Sequence, residues 1–355
     1  MSKIRIGIIG AGNISKSHLK AYSNCPEAEV VAICDINETV LNERADEFGI
    51  QNRFTNMEDM FASVKLDAVS ICVWNCNHAK CTIAALNAGC NVLCEKPMSY
   101  TVEEAKEMVE VSKKTGKILM LGFTSRFTTD SIVAKDFVDG GILGNIYYGE
   151  ATYLRRHGNP GGWFSDLSRS GGGPVIDIAV HAIDNIRYLM GSPKPVSVYA
   201  MTNNEIGPRH HLRTDVGWKP KGASPEDVCD VEDFATALVR FDNDATVLIR
   251  ASYDMHDVGN NGKKLLGTKG GLEFGSSDGT KIYTEMCGYM VDVVPSTYNL
   301  KVGKTGFDAE IQHFVDSCLG KCECTATAED GYVVMQILDG IYRSAKEKHE
   351  VIIGG

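Results

Sequence analysis

The sequence predicts an α/β Rossmann domain with a parallel, doubly wound sheet. An α+β domain with an open, mainly antiparallel sheet is expected to follow it. Three observations carry that reading. Short β-branched runs alternate with helical stretches through residue 123. Two glycines, Gly10 and Gly12, stand directly between the first strand-like run and the first helix. Beyond residue 195, strand candidates follow one another with no helix between them.

The elements can be justified in chain order. KIRIGII (3–9) is short and β-branched, as a buried strand should be. After Gly10-Ala11-Gly12 a helix runs to about Asn24, and AEVVAICD (28–35) forms a second strand ending in Asp35. A helix over 38–48 stops at Gly49, a natural C-terminal glycine. LDAVSICVW (66–74) reads as a strand, 78–88 as a helix ending at Gly89, and NVLCE (91–95) as the next strand. In TVEEAKEMVEVSKKTG, Thr101 and Glu104 form a capping box and Gly116 stops the helix. KILMLGF (117–123) completes the parallel sheet.

The pattern then changes. GGGPVIDIAVHAIDN (171–185) reads as a glycine-led helix. Strand candidates follow at 196–203, 231–241, 246–254 and 263–274, with Phe241-Asp242-Asn243-Asp244 as a hairpin turn. Residues 204–229, holding Pro208, His210, His211, Pro220 and Pro225, form a long loop: a lid, an oligomer arm or a plain surface loop. Helices near 307–319 and 328–347 close the chain. The expected division is a dinucleotide-binding domain over 1–125 and a substrate-binding and oligomerisation domain over 126–355. The C-terminal helix is able to pack back on the first domain.

Bulk properties narrow the function. The chain has 355 residues, room for two domains of roughly 150 each. Apolar residues at 43% and charged residues at 23% suit a globular protein with a large core. The net charge of −10 argues against nucleic acid, whose phosphates need a basic face. MSKIRIGIIG does not read as a signal peptide, and no run approaches the ~20 apolar residues of a membrane span. Twelve cysteines without a CxxC pair read as reduced thiols in a cytoplasmic protein. His313, Cys318, Cys322 and Cys324 lack the ligand pairs of a zinc site, so no metal is expected.

Two motifs carry chemistry. In GIIGAGNISKSH (7–18), glycines between strand and helix let the backbone approach a pyrophosphate, which the helix N-terminus then stabilises. Asp35 ends the second strand and can accept hydrogen bonds from both ribose hydroxyls of NAD. It would repel a 2′-phosphate, so NAD is expected over NADP. Ser15 stands where the third small residue of the fingerprint belongs. The second motif is CEKP (94–97), at the C-terminal end of a parallel strand, where ligands of such sheets sit. Pro97 restricts the backbone of Lys96 and aims it. In the glycine-led helix Asp177, His181 and Asp184 are spaced four and three apart, on one face. They are either a buried polar network or a catalytic set.

The combination GxG followed by His18, then Asp35, His78, Glu95-Lys96-Pro97, Arg126-Phe127 and GGGxxxDxxxHxxD resembles the Gfo/Idh/MocA family over nearly the whole chain. That family comprises glucose–fructose oxidoreductase-like and inositol dehydrogenase-like NAD(P)-dependent enzymes. The resemblance implies catalytic roles for Lys96, Asp177 and His181. It places Gly10, Gly12, Asn13, Ile14, Asp35 and Ile36 at the dinucleotide, and Asn75, His78 and Glu95 near its nicotinamide half. Val73-Trp74-Asn75 departs from the family's usual Thr-Pro-Asn and would set the Trp74 ring beside the cofactor. Asp184 is expected as a structural partner. Arg126, His157 and Trp163 are candidates for the sugar side, Trp163 as a platform for a pyranose face.

The leading function is therefore an NAD-dependent dehydrogenase acting on a ring secondary hydroxyl of a sugar, cyclitol or glycoside. GGWFSDLSRSGGG also resembles the corresponding segment of enzymes that oxidise glucosides at C3. His181 is the natural general base, Lys96 an electrostatic partner of the developing alkoxide, and Asp177 a hydroxyl ligand. Two other readings stay open. One is a glycosidase that retains NAD and cleaves through transient C3 oxidation, which would release no net NADH. The other is a non-catalytic NAD-binding regulator. A homo-dimer or homo-tetramer is expected, because an open sheet leaves one apolar face to cover.

Overall fold

A computed structural model describes residues 3–214, 217–259, 261–275, 279–296 and 303–353. The chain divides into two compact units, 1–124 with 303–332, and 125–302 with 333–355.

In the first unit β1 (Ile4–Ile9), α1 (Asn13–Ser23), β2 (Ala28–Cys34), α2 (Glu38–Phe48), β3 (Asn52–Phe54), α3 (Met57–Ser63), β4 (Ala68–Ile71), α4 (His78–Asn87), β5 (Asn91–Cys94), α5 (Val102–Thr115) and β6 (Leu119–Leu121) alternate. The six strands form one parallel sheet in the order β3-β2-β1-β4-β5-β6. The strand order reverses between β1 and β4, so a crevice opens beyond their C-terminal ends. The predicted alternation holds. The short β3 and α3 were not anticipated, because NRF and MEDMFAS are too brief to show a period. The predicted strand over 66–74 shortens to β4, its last residues turning into the loop that faces the crevice. The capping box is present: the Thr101 hydroxyl accepts from Glu104 N and the Glu104 carboxylate accepts from Thr101 N.

The second unit begins with α6 (Thr129–Asp139), β7 (Ile146–Leu154), a short α7 (Leu167–Ser170) and α8 (Val180–Leu189). It continues with β8 (Pro195–Asn203), β9 (Phe234–Phe241), β10 (Thr246–Ser252), β11 (Gly262–Gly267), β12 (Gly270–Phe274), β13 (Lys281–Met286) and β14 (Tyr289–Val293). Near the C-terminus, α9 (Gly306–Cys318) lies in the first unit and α10 (Ala328–Glu347) begins there and ends in the second, followed by β15 (Val351–Ile352). Nine strands make a sheet ordered β14-β13-β12-β11-β7-β10-β9-β8-β15. Only the β7–β10 pair is parallel among the described pairings. The run over 263–274 is two strands, because Thr268-Lys269 turns the chain between Gly267 and Gly270. Segments β7, β13 and β14 mix polar and apolar residues and gave no clean alternation in the sequence.

On one side of this sheet α8 packs against β7 and β11, and α6 against β12. The other side presents Val196, Tyr199, Met201 and Leu238 to solvent. Among the described residues no helix is long and apolar enough to cross a membrane.

Candidate functional site

The glycine loop is built for close approach. Gly10 has φ +95°, and a Cβ there would sit 2.3 Å from the Cys72 carbonyl oxygen, so only glycine fits between β1 and β4. At Gly12 a Cβ would meet nothing within 4 Å, so the loop's outer side is open space. Gly12 caps α1 without a side-chain hydrogen bond, which leaves the first N–H groups of that helix for a ligand. Asn13 is exposed and Ile14 half-buried beside it, while Ser15 is fully buried and donates to Gly12 O at 2.7 Å. The small Ser15 thus satisfies the packing for which a third glycine was expected.

Asp35 is fixed at the end of β2. Its Oδ2 accepts from Ala11 N at 2.7 Å and its Oδ1 from Asn37 N at 2.7 Å. Ile36, next in sequence, is 88% exposed. Arg44, which sequence reading missed, donates to the carbonyls of Ala11 and Gly12 and ties α2 to the loop. Its only signal was an arginine on α2, nine residues past Asp35. Open glycine backbone, an uncapped helix N-terminus and a pinned carboxylate together fit the pyrophosphate and ribose of NAD.

The CEKP turn is held from below. His78 is buried, with Nδ1 2.6 Å from Pro97 O and Nε2 3.1 Å from Val73 O. Burial keeps its pKa below the usual value, and the shorter contact marks Nδ1–H as the donor. His78 therefore anchors the turn that carries Lys96. Glu95 accepts from Lys96 N and, through Oε1, binds His18 Nε2 at 2.8 Å. Burial opposes charging His18, yet Cys72 and Glu95 beside it push its pKa well above the ordinary value. Glu310 of α9, also fully buried, bonds the Thr124 hydroxyl. Burial, reinforced by the Glu95 charge, pushes its carboxyl up to about 8. Lys96 itself and Asn75 complete this end: Lys96 is half-buried, Asn75 buried, and Trp74 exposed at the start of a short 3₁₀ turn.

In the second unit the three glycines are explained by their neighbours. Gly172 has φ +154°, and a Cβ there would lie 2.0 Å from the Tyr342 hydroxyl. A Cβ on Gly173 would lie 2.5 Å from Glu232 O. Buried Glu232 accepts from Gly173 N and Val175 N, and Tyr342 donates to it at 2.9 Å. Glu232 thereby caps the helix from a distant segment. Residues 175–179 wind as a wide π-turn before α8 begins, a variation that a spacing argument for a regular helix did not foresee. From Gly172 to Arg187 every residue is buried except Asp177 and His181. Tyr253, fully buried, donates to Asp177 Oδ2 at 2.9 Å, and the burial, reinforced by the Asp177 charge, raises the phenol pKa well above its ordinary value.

Asp184 is fully buried and carries a forked ion pair with Arg126, whose Nε donates at 2.8 Å and whose Nη2 binds the other oxygen. Arg126 was expected on the sugar side. Its guanidinium is instead buried on Asp184 and over the Tyr188 ring, which makes it a support of α8. The motif showed an arginine but not its partner 58 residues away.

His157 and Trp163, the other sugar-side candidates, lie in the loop after β7 and remain partly exposed. His157 Nδ1 is 2.9 Å from Asp254 Oδ1, and Arg209 Nε is 3.5 Å from the same oxygen. Trp163 stacks against Phe164, with ring centroids 3.9 Å apart. The residues sequence reading missed, Tyr253, Asp254 and Glu232, lie at strand starts and ends. Their signal was an acid or a tyrosine hydroxyl interrupting an apolar run. Among the described residues no group of three or more His, Cys, Asp or Glu side chains could hold a metal ion.

A parallel sheet with a glycine-led crevice in one unit, and in the other a buried helix that leaves an acid and an imidazole partly exposed, define a dinucleotide-dependent oxidoreductase. Residues 4–123 match the model of the oxidoreductase family with an NAD-binding Rossmann fold, and residues 132–273 match the Gfo/Idh/MocA C-terminal domain. The chain belongs to the Gfo/Idh/MocA family and binds NAD through its first domain. It is 31% identical to D-glucoside 3-dehydrogenase of Escherichia coli K12, over 97% of this chain and 96% of that enzyme. It is 30% identical to levoglucosan dehydrogenase of Pseudarthrobacter phenanthrenivorans, over 77% of this chain and 74% of that one. Among solved structures, aldose-aldose oxidoreductase from Caulobacter crescentus, complexed with glycerol, superposes with a TM-score of 0.80 at 26% identity over 99% of each chain. A levoglucosan dehydrogenase in complex with NADH and L-sorbose superposes with a TM-score of 0.84 at 25% identity over the full length of both.

Proposed function

We propose that the chain oxidises one ring secondary hydroxyl of a sugar, cyclitol or glycoside with NAD as acceptor, the C3 hydroxyl of a glucoside foremost. The observation that carries this reading is the similarity to a D-glucoside 3-dehydrogenase over 97% of the chain. The first domain serves NAD, and the second serves the sugar and self-association.

Bound at the glycine loop, NAD supplies the hydride acceptor. The chain's own groups handle the proton and the charge. His181 takes the hydroxyl proton, as a partly exposed imidazole on the buried helix can. Lys96 donates to the reacting oxygen and favours the alkoxide over the alcohol. Asp177, held by Tyr253, accepts a hydrogen bond from a neighbouring hydroxyl and orients the ring. Glu95 and His78 fix the turn under Lys96. We also infer that the protein works in the cytoplasm as a homo-dimer or homo-tetramer. Its many buried thiols and the exposed apolar strand residues support this.

The test is NADH formation at 340 nm with methyl glucosides, free hexoses and inositols, and mass analysis of the product. A ketone on an otherwise intact glycoside, formed one-to-one with NADH, is expected. Cleaved glycoside without NADH would replace this reading with the NAD-retaining hydrolase.

A further inference from the structure

A cavity of about 1120 Å³ lies wholly within the second unit, beside the end of β10. Among the described residues its walls carry Arg155, Arg156, Arg209 and three histidines against a single carboxylate, Glu205. In a chain of net charge −10 this is a local reversal of sign. Buried Asp254 offsets Arg209 through its contacts with Arg209 and His157. Among the described residues, Arg156 and His256, both exposed, have no acidic partner. Like charges gathered on a concave wall repel one another unless an anion sits among them, and a cleft of one sign draws such an ion in. Guanidinium groups suit that task, since they bind carboxylate or phosphate through two parallel N–H bonds.

The cavity adjoins the proposed reaction site through one side chain. Arg155 lies over the Tyr253 ring, 5.8 Å from its centroid, and the Tyr253 hydroxyl holds Asp177. Trp218, 52% exposed, adds an apolar wall and makes an edge contact with Phe164. A ligand that spans Asp177 and this cavity would be larger than one sugar ring, polar at one end and anionic at the other.

We propose that the cavity is an anion subsite, which holds a carboxylate or phosphate on the non-reacting part of a glycoside. The proposal rests on the sugar-oxidation reading above. Three aryl glucosides of matched size test it: 4-carboxyphenyl, 4-carbamoylphenyl and 4-trimethylammoniophenyl β-D-glucoside. Phenyl β-D-glucoside 6-phosphate, against phenyl β-D-glucoside, separates phosphate from carboxylate. Turnover gives KM and kcat, and calorimetry on the NADH-loaded enzyme gives affinity without turnover. The expected result is about a tenfold lower KM for the carboxylate or the phosphate than for its neutral match, at similar kcat. Salt should erode that preference. Arg156→Ala should abolish it and Arg156→Lys restore part of it, with kcat on the neutral glucoside unchanged. Equal KM for charged and neutral partners, or preference for the cation, overturns the subsite while leaving sugar oxidation intact. Retained calorimetric preference with no oxidation of any sugar supports the subsite and overturns the oxidation reading instead.

Discussion

At the scale of single residues, the proposed catalytic groups should fail in different ways. His181→Asn should lower kcat by ~10²–10⁴-fold with little change in NAD affinity, and the acid limb of the pH–rate profile should flatten. Lys96→Ala should cost a few kcal/mol of barrier, about as much as an oxyanion-hole donor. Asp177→Asn should raise KM as well as lower kcat, because its hydroxyl contact exists before the transition state. Steady-state kinetics on the folded, NAD-binding variants decide this; near-normal kcat in all three would reduce the glycine-led helix to scaffolding. Glu310 yields a stability prediction. Its folded-state value of about 8 lies above the ordinary glutamate value of 4.5, so the folded state holds a proton that the unfolded chain releases. That contribution is complete below about 4.5 and is lost as pH rises through about 8. The raised His18 value acts in the same direction. Melting temperature should therefore fall between pH 6 and pH 9, and fall less in Glu310→Gln. Parallel melting curves for the two proteins would refute a protonated Glu310.

At the scale of elements, the parallel half was legible because each of its strands and helices is short, regular and punctuated by glycine. Gly49, Gly89 and Gly116 all have positive φ, where the sequence placed the helix ends. The π-turn over 175–179 and the strands β13 and β14 were not legible, since tertiary contacts rather than local pattern decide them. The same limit explains Arg126 and Tyr253. A sequence shows that a charged or hydroxyl group is present, but a partner 58 or 76 residues away emerges only from folding. Where local pattern and site coincide, as at β2, the prediction is firm. Asp35 is held by the amides of Ala11 and Asn37, so it cannot easily turn away from a 2′-phosphate. The ratio of kcat/KM for NAD to that for NADP should strongly favour NAD, and Asp35→Ser should narrow it. A native preference for NADP would contradict the role assigned to Asp35.

At the scale of the whole molecule, the second sheet poses a question of solvation. Val196, Tyr199, Met201 and Leu238 stand in water on adjacent strands β8 and β9. Contiguous apolar groups of this kind usually find a partner. Light scattering at micromolar concentration should give two or four times the 38.6 kDa chain mass. Leu238→Asp should shift that mass downward without lowering the melting temperature of the separated chains. A monomer in the unmodified protein would show that this face is simply tolerated in solvent.

The interleaving of the two units has a consequence for how the protein is made. The parallel sheet is complete in sequence by Leu121, yet the unit that contains it also needs residues 303–332. Leu121 N bonds Ala326 O, Met120 bridges to Thr327, and the Thr124 hydroxyl bonds Glu310. At roughly 5–20 residues per second, a ribosome takes on the order of ten seconds or more to add the intervening residues. During that interval the nascent sheet lacks its β6 covering and waits beside an emerging second unit. Folding of the dinucleotide half is thus tied to the end of translation, and a chain cut short before α9 would leave that half exposed to chaperones and proteases.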